Sequence, residues 1–153
     1  MIIAWNNPDT GTLSLTYLAA PMLPGEFFAW YASRVAAKDV PAGVRWWLVD
    51  PDLLPRSKAF RPAWTAEPGQ PPTVDMAKAR VIHATRIVRA QQGELDRLAG
   101  EHSSALADDD QQAMSAAKGL RQQLRQLDLS LDRFTTPEDL DAFWPVELGG
   151  RIA

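Results

Sequence analysis

"VDMAKARVIHATRIVRAQQGELDRL", residues 74–98, is the stretch on which the fold turns. Val74, Ala77, Val81, Ala84, Val88, Gln91, Leu95 and Leu98 follow one another at alternating spacings of three and four, which keeps them on one stripe of a helix. Ala113, Ala117, Leu120, Leu124, Leu127, Leu131 and Phe134 repeat the rule. Between the two stripes lies "GEHSSALADDD", residues 100–110, long enough to reverse the chain. Asp108, Asp109 and Asp110 suit the start of the second helix, where carboxylates meet unpaired amide groups. The first stripe runs from small to leucine-rich and the second does the same. In an antiparallel pair, small positions therefore face large ones. The expectation is a coiled-coil-like helical hairpin whose arms, of some 25 residues at about 1.5 Å each, reach roughly 35 to 40 Å.

Upstream, "EPGQPPT", residues 67–73, holds three prolines and one glycine and favours extended backbone. Aromatic residues are missing between Trp64 and Phe134, so the composition changes at this run. The part before it has strand signals. "IIAW", "NNPDTG" and "TLSLTYL" read as strand, turn and strand, with Leu13, Leu15 and Tyr17 alternating with polar neighbours. "LPGEFFAWYASRVA" reads as a short helix with Pro24 near its start and Phe27, Trp30, Tyr31 and Val35 close to one face, which the apolar face of this β-hairpin is expected to cover. "VRWWLVD" reads as a third strand, with Val44, Trp46 and Leu48 on one side and Arg45, Trp47 and Val49 on the other. Large residues on both sides suit a strand between two layers, or one with a face left for a partner. "LPRSKAFRPAWTAEPG" then reads as an extended strap closing this part, with Phe60 and Trp64 against the sheet.

Downstream, "TTPEDLDAFWP" carries the signals of one short helix. Thr135 or Thr136 caps it, Pro137 takes the first position, Glu138 and Asp139 lie in the first turn, and Pro145 stops it. The predicted class is α+β: a small antiparallel sheet with one short helix, then an antiparallel long helical hairpin and a short C-terminal helix. The expected organisation is a β-rich unit over 1–66, a Pro-rich linker over 67–73, the hairpin and its latch helix over 74–145, and a loose tail over 146–153.

The composition limits the chemistry. The chain has 153 residues, 46% of them hydrophobic and 23% charged, as in a globular domain or two small units. It contains no cysteine, which excludes disulfides, thiol nucleophiles and thiolate metal sites. The opening "MIIAWNNPD" lacks a basic region and a long apolar run, and no stretch approaches about 18 apolar residues, so neither a signal peptide nor a membrane span is expected. A net charge of −3 makes nucleic acid an unlikely main partner. Six basic and six acidic residues balance through Thr73, so the remainder carries the acidic excess.

No G-x-S-x-G elbow, phosphate-binding loop or dinucleotide fingerprint occurs. His83 and His102 lie about five helical turns apart and cannot share a metal on one helix. His83 falls off the counted stripe and is expected to be exposed. The run Asp108–Asp110 lacks the alternating ligands, glycine turn and distal glutamate of a calcium loop. No catalytic, cofactor or metal residue is assigned, and no cofactor is expected. Lys78, Arg86, Arg89 and Arg97 share the helix face opposite the stripe, either as a grip for an acidic partner or as a solvated face. Trp46, Trp47, Phe60, Arg61 and Trp64 are the other partner-binding candidates, since aromatic residues and arginine dominate interface hot spots. Each serves equally well as core.

"AAKDVPAG", "LPRSKAFRPAW", "VDMAKARVIHATRI" and "TTPEDLDAFWP", taken in order, resemble a family of small proteins encoded in bacteriophages and prophages. The resemblance covers about Val35 to Pro145. The sequence departs from the family in having Lys58-Ala59-Phe60-Arg61-Pro62 where Arg-x-Phe-Arg-Asn is more usual, and Pro62 removes an amide donor. The resemblance implies a phage origin near the late tail module. It leads to the expectation of a non-enzymatic protein acting by protein–protein contact in the host bacterial cytoplasm or in the virion, as a tail accessory or assembly factor. Homo-oligomerisation through the hairpin is part of that expectation. The alternative is a phage inhibitor of a host defence complex, with Asp108–Asp110 or Asp128, Asp132 and Asp139 occupying a basic groove.

Overall fold

The computed structural model describes residues 1–19 and 25–149. The chain divides into two compact units, Met1–Ala79 and Arg80–Ala153. The architecture is α+β, with a small antiparallel sheet, a long helix packed on a second helix, and a short C-terminal helix.

In the first unit, strands β1 (Ile2–Asn6), β2 (Leu13–Tyr17) and β3 (Trp46–Val49) form an antiparallel sheet in the order β2-β1-β3. The turn between β1 and β2 is built as its residues require. The Asn7 side-chain oxygen accepts from the Asp9 amide at 2.9 Å, and Gly11 adopts φ 63°. β1 is central and buried on both faces. Ile3 and Trp5 pack with Ala32 and Ala36 of helix α1 (Gly25–Asp39), and Ala4, between them, faces Leu13, Trp47 and Trp64 on the other side.

The packed face of α1 is Phe28, Tyr31, Ala32, Val35 and Ala36. These sit at helical spacing, and the two alanines let the helix approach the sheet closely. Phe27 and Trp30, expected on that face, are instead exposed, each at 64%. At 100° per residue both point away from the line through Phe28, Ala32, Val35 and Ala36. Leu13 and Leu15 likewise face the strap rather than α1. Pro24, expected near the start of this helix, lies outside the described residues.

The strap is not extended. Lys58–Ala63 form 3-10 turns that accommodate Pro62, and Phe60 is fully buried. β4 (Trp64–Thr65) then pairs antiparallel with β5 (Thr73–Val74). The Pro-rich run over 67–73, expected as a linker, forms the loop of this hairpin and belongs to the first unit. Gly69 takes φ 88° in it, and the loop is tied to the sheet by the Trp47 indole N–H, which donates to the Gln70 carbonyl at 3.2 Å. Asn6 Nδ2 adds a bond to the Ala66 carbonyl at 3.3 Å. Asp75 follows and starts the long helix, its carboxylate accepting from the Ala77 and Lys78 amides at 3.0 and 3.1 Å.

Helix α2 (Met76–Ala107) has 32 residues, longer than expected. It runs through "GEHSSALA", because Ala105, Leu106 and Ala107 favour helix, and the Ser103 hydroxyl is satisfied within the helix on the Ala99 carbonyl at 3.0 Å. Only Asp108–Asp110 connect it to α3 (Gln111–Arg125). Asp109 turns the chain at φ 54°, and Asp110 caps α3 by accepting from the Ala113 amide at 2.9 Å.

Helix α3 has 15 residues and stops well before Phe134. The following "LDLSLD" alternates apolar and polar residues, and Asp128 accepts from the Ser130 amide at 2.9 Å, closing a turn that leaves the helix. Leu124 and Ala117 pack on Leu98, while Gln91 Nε2 donates to the Leu124 carbonyl at 2.6 Å and satisfies a helix end. The short α4 (Pro137–Ala142) is as expected: Thr136 caps it through the Asp139 amide at 3.2 Å, Pro137 leads it, and Leu140 is buried. Tail residues 150–153 lie outside the described residues.

The buried stripe of α2 differs from the counted one. Ala79, His83, Ile87, Leu98 and Ala105 are buried, whereas Val81 and Val88 are 67% and 46% exposed. At 100° per residue the buried face is rotated by about 110°, nearly a third of a turn, from the stripe through Ala77, Val81, Ala84 and Val88. His83, expected to be exposed, is fully buried. Its Nε2 lies 2.9 Å from the Phe143 carbonyl oxygen, and the Phe143 and Trp144 rings flank it at 6.5 and 6.3 Å between centroids.

Candidate functional site

A groove of about 700 Å³ runs along α2 in the second unit. One wall is the helix itself. Val81, Ile82, Thr85, Arg86, Arg89 and Ala90 recur at spacings that put them on adjoining lines of the helix surface. The opposite wall is Trp144 and Leu148, from the segment after α4. Gly93 and Glu94 carry the helical lining one turn further.

The sequence builds this site in steps. The His83–Phe143 bond and the Phe134–Phe143 ring contact, at 5.0 Å between centroids, fix the segment after α4 on α2. The Arg133 guanidinium lies over both of those rings, at 4.9 and 5.0 Å. Arg80 Nη2 donates to the Phe134 carbonyl at 2.8 Å and ties the preceding loop to the same helix. Trp144 is thereby held half-buried at the edge of the groove.

Charge on the groove is uneven. The Arg97 side chain engages both Glu94 and Glu101. Hydrogen bonding from Arg97 holds the Glu94 carboxyl below the usual carboxylate range, and the same pairing raises the Arg97 guanidinium. Glu94 is therefore answered within its own helix. Arg89 is exposed, and among the described residues no hydrogen bond or ion pair engages it. The groove thus presents apolar side chains with the Arg89 guanidinium exposed on its rim.

The basic residues expected to act together are divided. Lys78 pairs with Asp75 at 3.7 Å in the first unit, Arg97 is held by its two glutamates, and Arg86 and Arg89 line the groove. Trp46, Trp47, Phe60, Arg61 and Trp64 all belong to the first unit. Trp46 packs half-buried on the α1 side of the sheet, and Trp47 and Trp64 are buried together on the other. Phe60 is interior, and only Arg61 is on the surface. A second, basic depression on α3 and α2, lined by His102, Lys118, Arg121, Gln122 and Arg125, was not anticipated. Its signal was present: α3 carries three cations and no carboxylate.

Asp110 accepts from the Ala113 amide, Asp128 from the Ser130 amide and Asp139 from the Thr136 hydroxyl, so three of the carboxylates offered as an acidic surface have local structural partners. No helix among the described residues is long and apolar enough to cross a membrane. Comparison with protein-family models, curated proteins and solved structures returns no match.

Proposed function

We propose that the protein acts without chemistry of its own, by binding another protein, in the setting that the sequence resemblance implies: an accessory or assembly factor of a bacteriophage tail module. The observation that supports binding is the groove on α2, with exposed Val81, half-buried Ile82 and Trp144 at its surface and Arg89 on its rim. Apolar side chains held open beside an unanswered guanidinium are what a protein interface needs: a dry centre and a charged edge. The phage setting rests on the sequence motifs alone.

The test is affinity capture of the full chain from bacteria carrying the phage or prophage, with mass spectrometry of the captured material and of purified virions. Stoichiometric recovery of a tail-module protein is the expected result. Recovery of a host nuclease complex in its place would overturn the tail assignment in favour of a host-directed inhibitor, and recovery of no protein would overturn the binding function itself.

A further inference from the structure

We infer that the α2 groove is the docking site for one amphipathic, acidic segment of a partner protein: a stretch with large apolar side chains on one face and a carboxylate placed to meet Arg89. This rests on the binding function proposed above and names the site and the partner's chemistry.

Dimensions suit such a segment. From Val81 to Gly93 the groove follows α2 for about 18 Å, which is about three turns of a guest helix. Its floor is low where contact must be closest. Ala90 is small, and a Cβ built on Gly93 meets no heavy atom within 4 Å, so the helix surface is open there to an approaching chain. Trp144 and Leu148 supply the raised wall against which apolar side chains pack. An aromatic wall over a small-residue floor accepts a side chain of leucine or phenylalanine size.

Charge decides between occupants. Arg89 stands exposed on the groove, and the carboxylate that lines it, Glu94, is already held by Arg97. A second copy docking by two-fold symmetry would bring the same cationic rim against itself, and like charges across an interface are costly. A basic segment meets the same repulsion. An acidic segment gains a charge-assisted hydrogen bond at Arg89, which has no such bond among the described residues.

The test uses the full chain and a displayed library of random twelve-residue peptides. The wild-type protein is expected to select peptides that combine large apolar residues with aspartate or glutamate. Gly93→Leu, which fills the floor from a position with free space, is expected to weaken the selected peptides by about tenfold or more while keeping the fold by circular dichroism. Arg89→Glu is expected to lose the acidic peptides and to select lysine-bearing ones. Peptides that bind wild type and Gly93→Leu equally would overturn the site. Selection without acidic preference, or an unchanged preference in Arg89→Glu, would overturn the partner's chemistry. A concentration-dependent dimer abolished by Gly93→Leu in sedimentation equilibrium would assign the groove to a second copy instead. If Gly93→Leu still captures the wild type's partner from infected cells, the groove is wrong and the binding function stands. If wild type captures nothing, the binding function itself fails.

Discussion

His83 and Phe143 are joined by a hydrogen bond of 2.9 Å between the imidazole Nε2 and the backbone carbonyl, across 60 residues of chain. A carbonyl only accepts, so the Nε2 position carries the proton. The bond fastens the segment that ends in Trp144 to α2, and so builds one wall of the groove. His83→Ala removes the donor and leaves a cavity in a fully buried position. The expected cost is about 2–4 kcal/mol by urea denaturation. His83→Phe restores ring volume without the donor and is expected to fall between the two.

The phase of α2 is open to a direct comparison. Ile87 is fully buried and Val81 is 67% exposed, although the apolar count along the sequence favours Val81. Ile87→Ala is expected to cost about 2–5 kcal/mol, as large-to-small changes in a core do. Val81→Ser is expected to stay within about 0.5 kcal/mol. The reverse order in chemical denaturation would restore the counted stripe as the packed one.

How far the sequence reveals this fold depends on whether its signals are local. Turn chemistry at Asn7 and Gly11, the Thr136-Pro137 start of α4 and the Asp110 cap are local, and each is where it was expected. Helix phase is not local. In α2 alanines and valines support more than one stripe, and the choice is made by a histidine whose partner lies 60 residues away. The end of α3 was hidden because Leu127 and Leu131 satisfy both the helical spacing and the alternation of "LDLSLD". The groove joins α2 to Trp144 and Leu148, and no spacing rule links those positions. Its trace in the sequence was Gly93, a residue that weakens a helix interior unless something needs the space.

The segment around Phe60 separates core from surface within two adjacent residues. Phe60 is fully buried and Arg61 is exposed. Phe60→Ala is expected to destabilise the protein by about 3–5 kcal/mol. Arg61→Ala is expected to stay within about 0.5 kcal/mol. A thermal shift on both variants distinguishes this arrangement from one in which the arginine anchors the strap.

Gly93 lies within α2, where its lack of a side chain costs helix stability, and an added Cβ meets no heavy atom within 4 Å. Gly93→Ala is therefore expected to stabilise the chain by about 0.5–1 kcal/mol. A gain in denaturation midpoint accompanied by weaker peptide binding would show that stability is given up at this position for an open groove. A loss of stability would mean that the glycine is required by the fold.

Glu94 sets a small pH dependence. The hydrogen bond from Arg97 lowers its folded pKa below the unfolded value, against a lesser desolvation effect that raises it. The pair's contribution is in place above the ordinary carboxylate range and is lost as pH falls through the lowered folded pKa. Both side chains are partly open to solvent, at 31% for Glu94 and 50% for Arg97, so the effect is small and weakens with salt. Glu94→Gln is expected to lower Tm slightly at neutral pH and to converge with wild type in acid. Thermal melts of both proteins at low ionic strength across that range measure it, and a gap that persists in acid would assign the loss to packing rather than to charge.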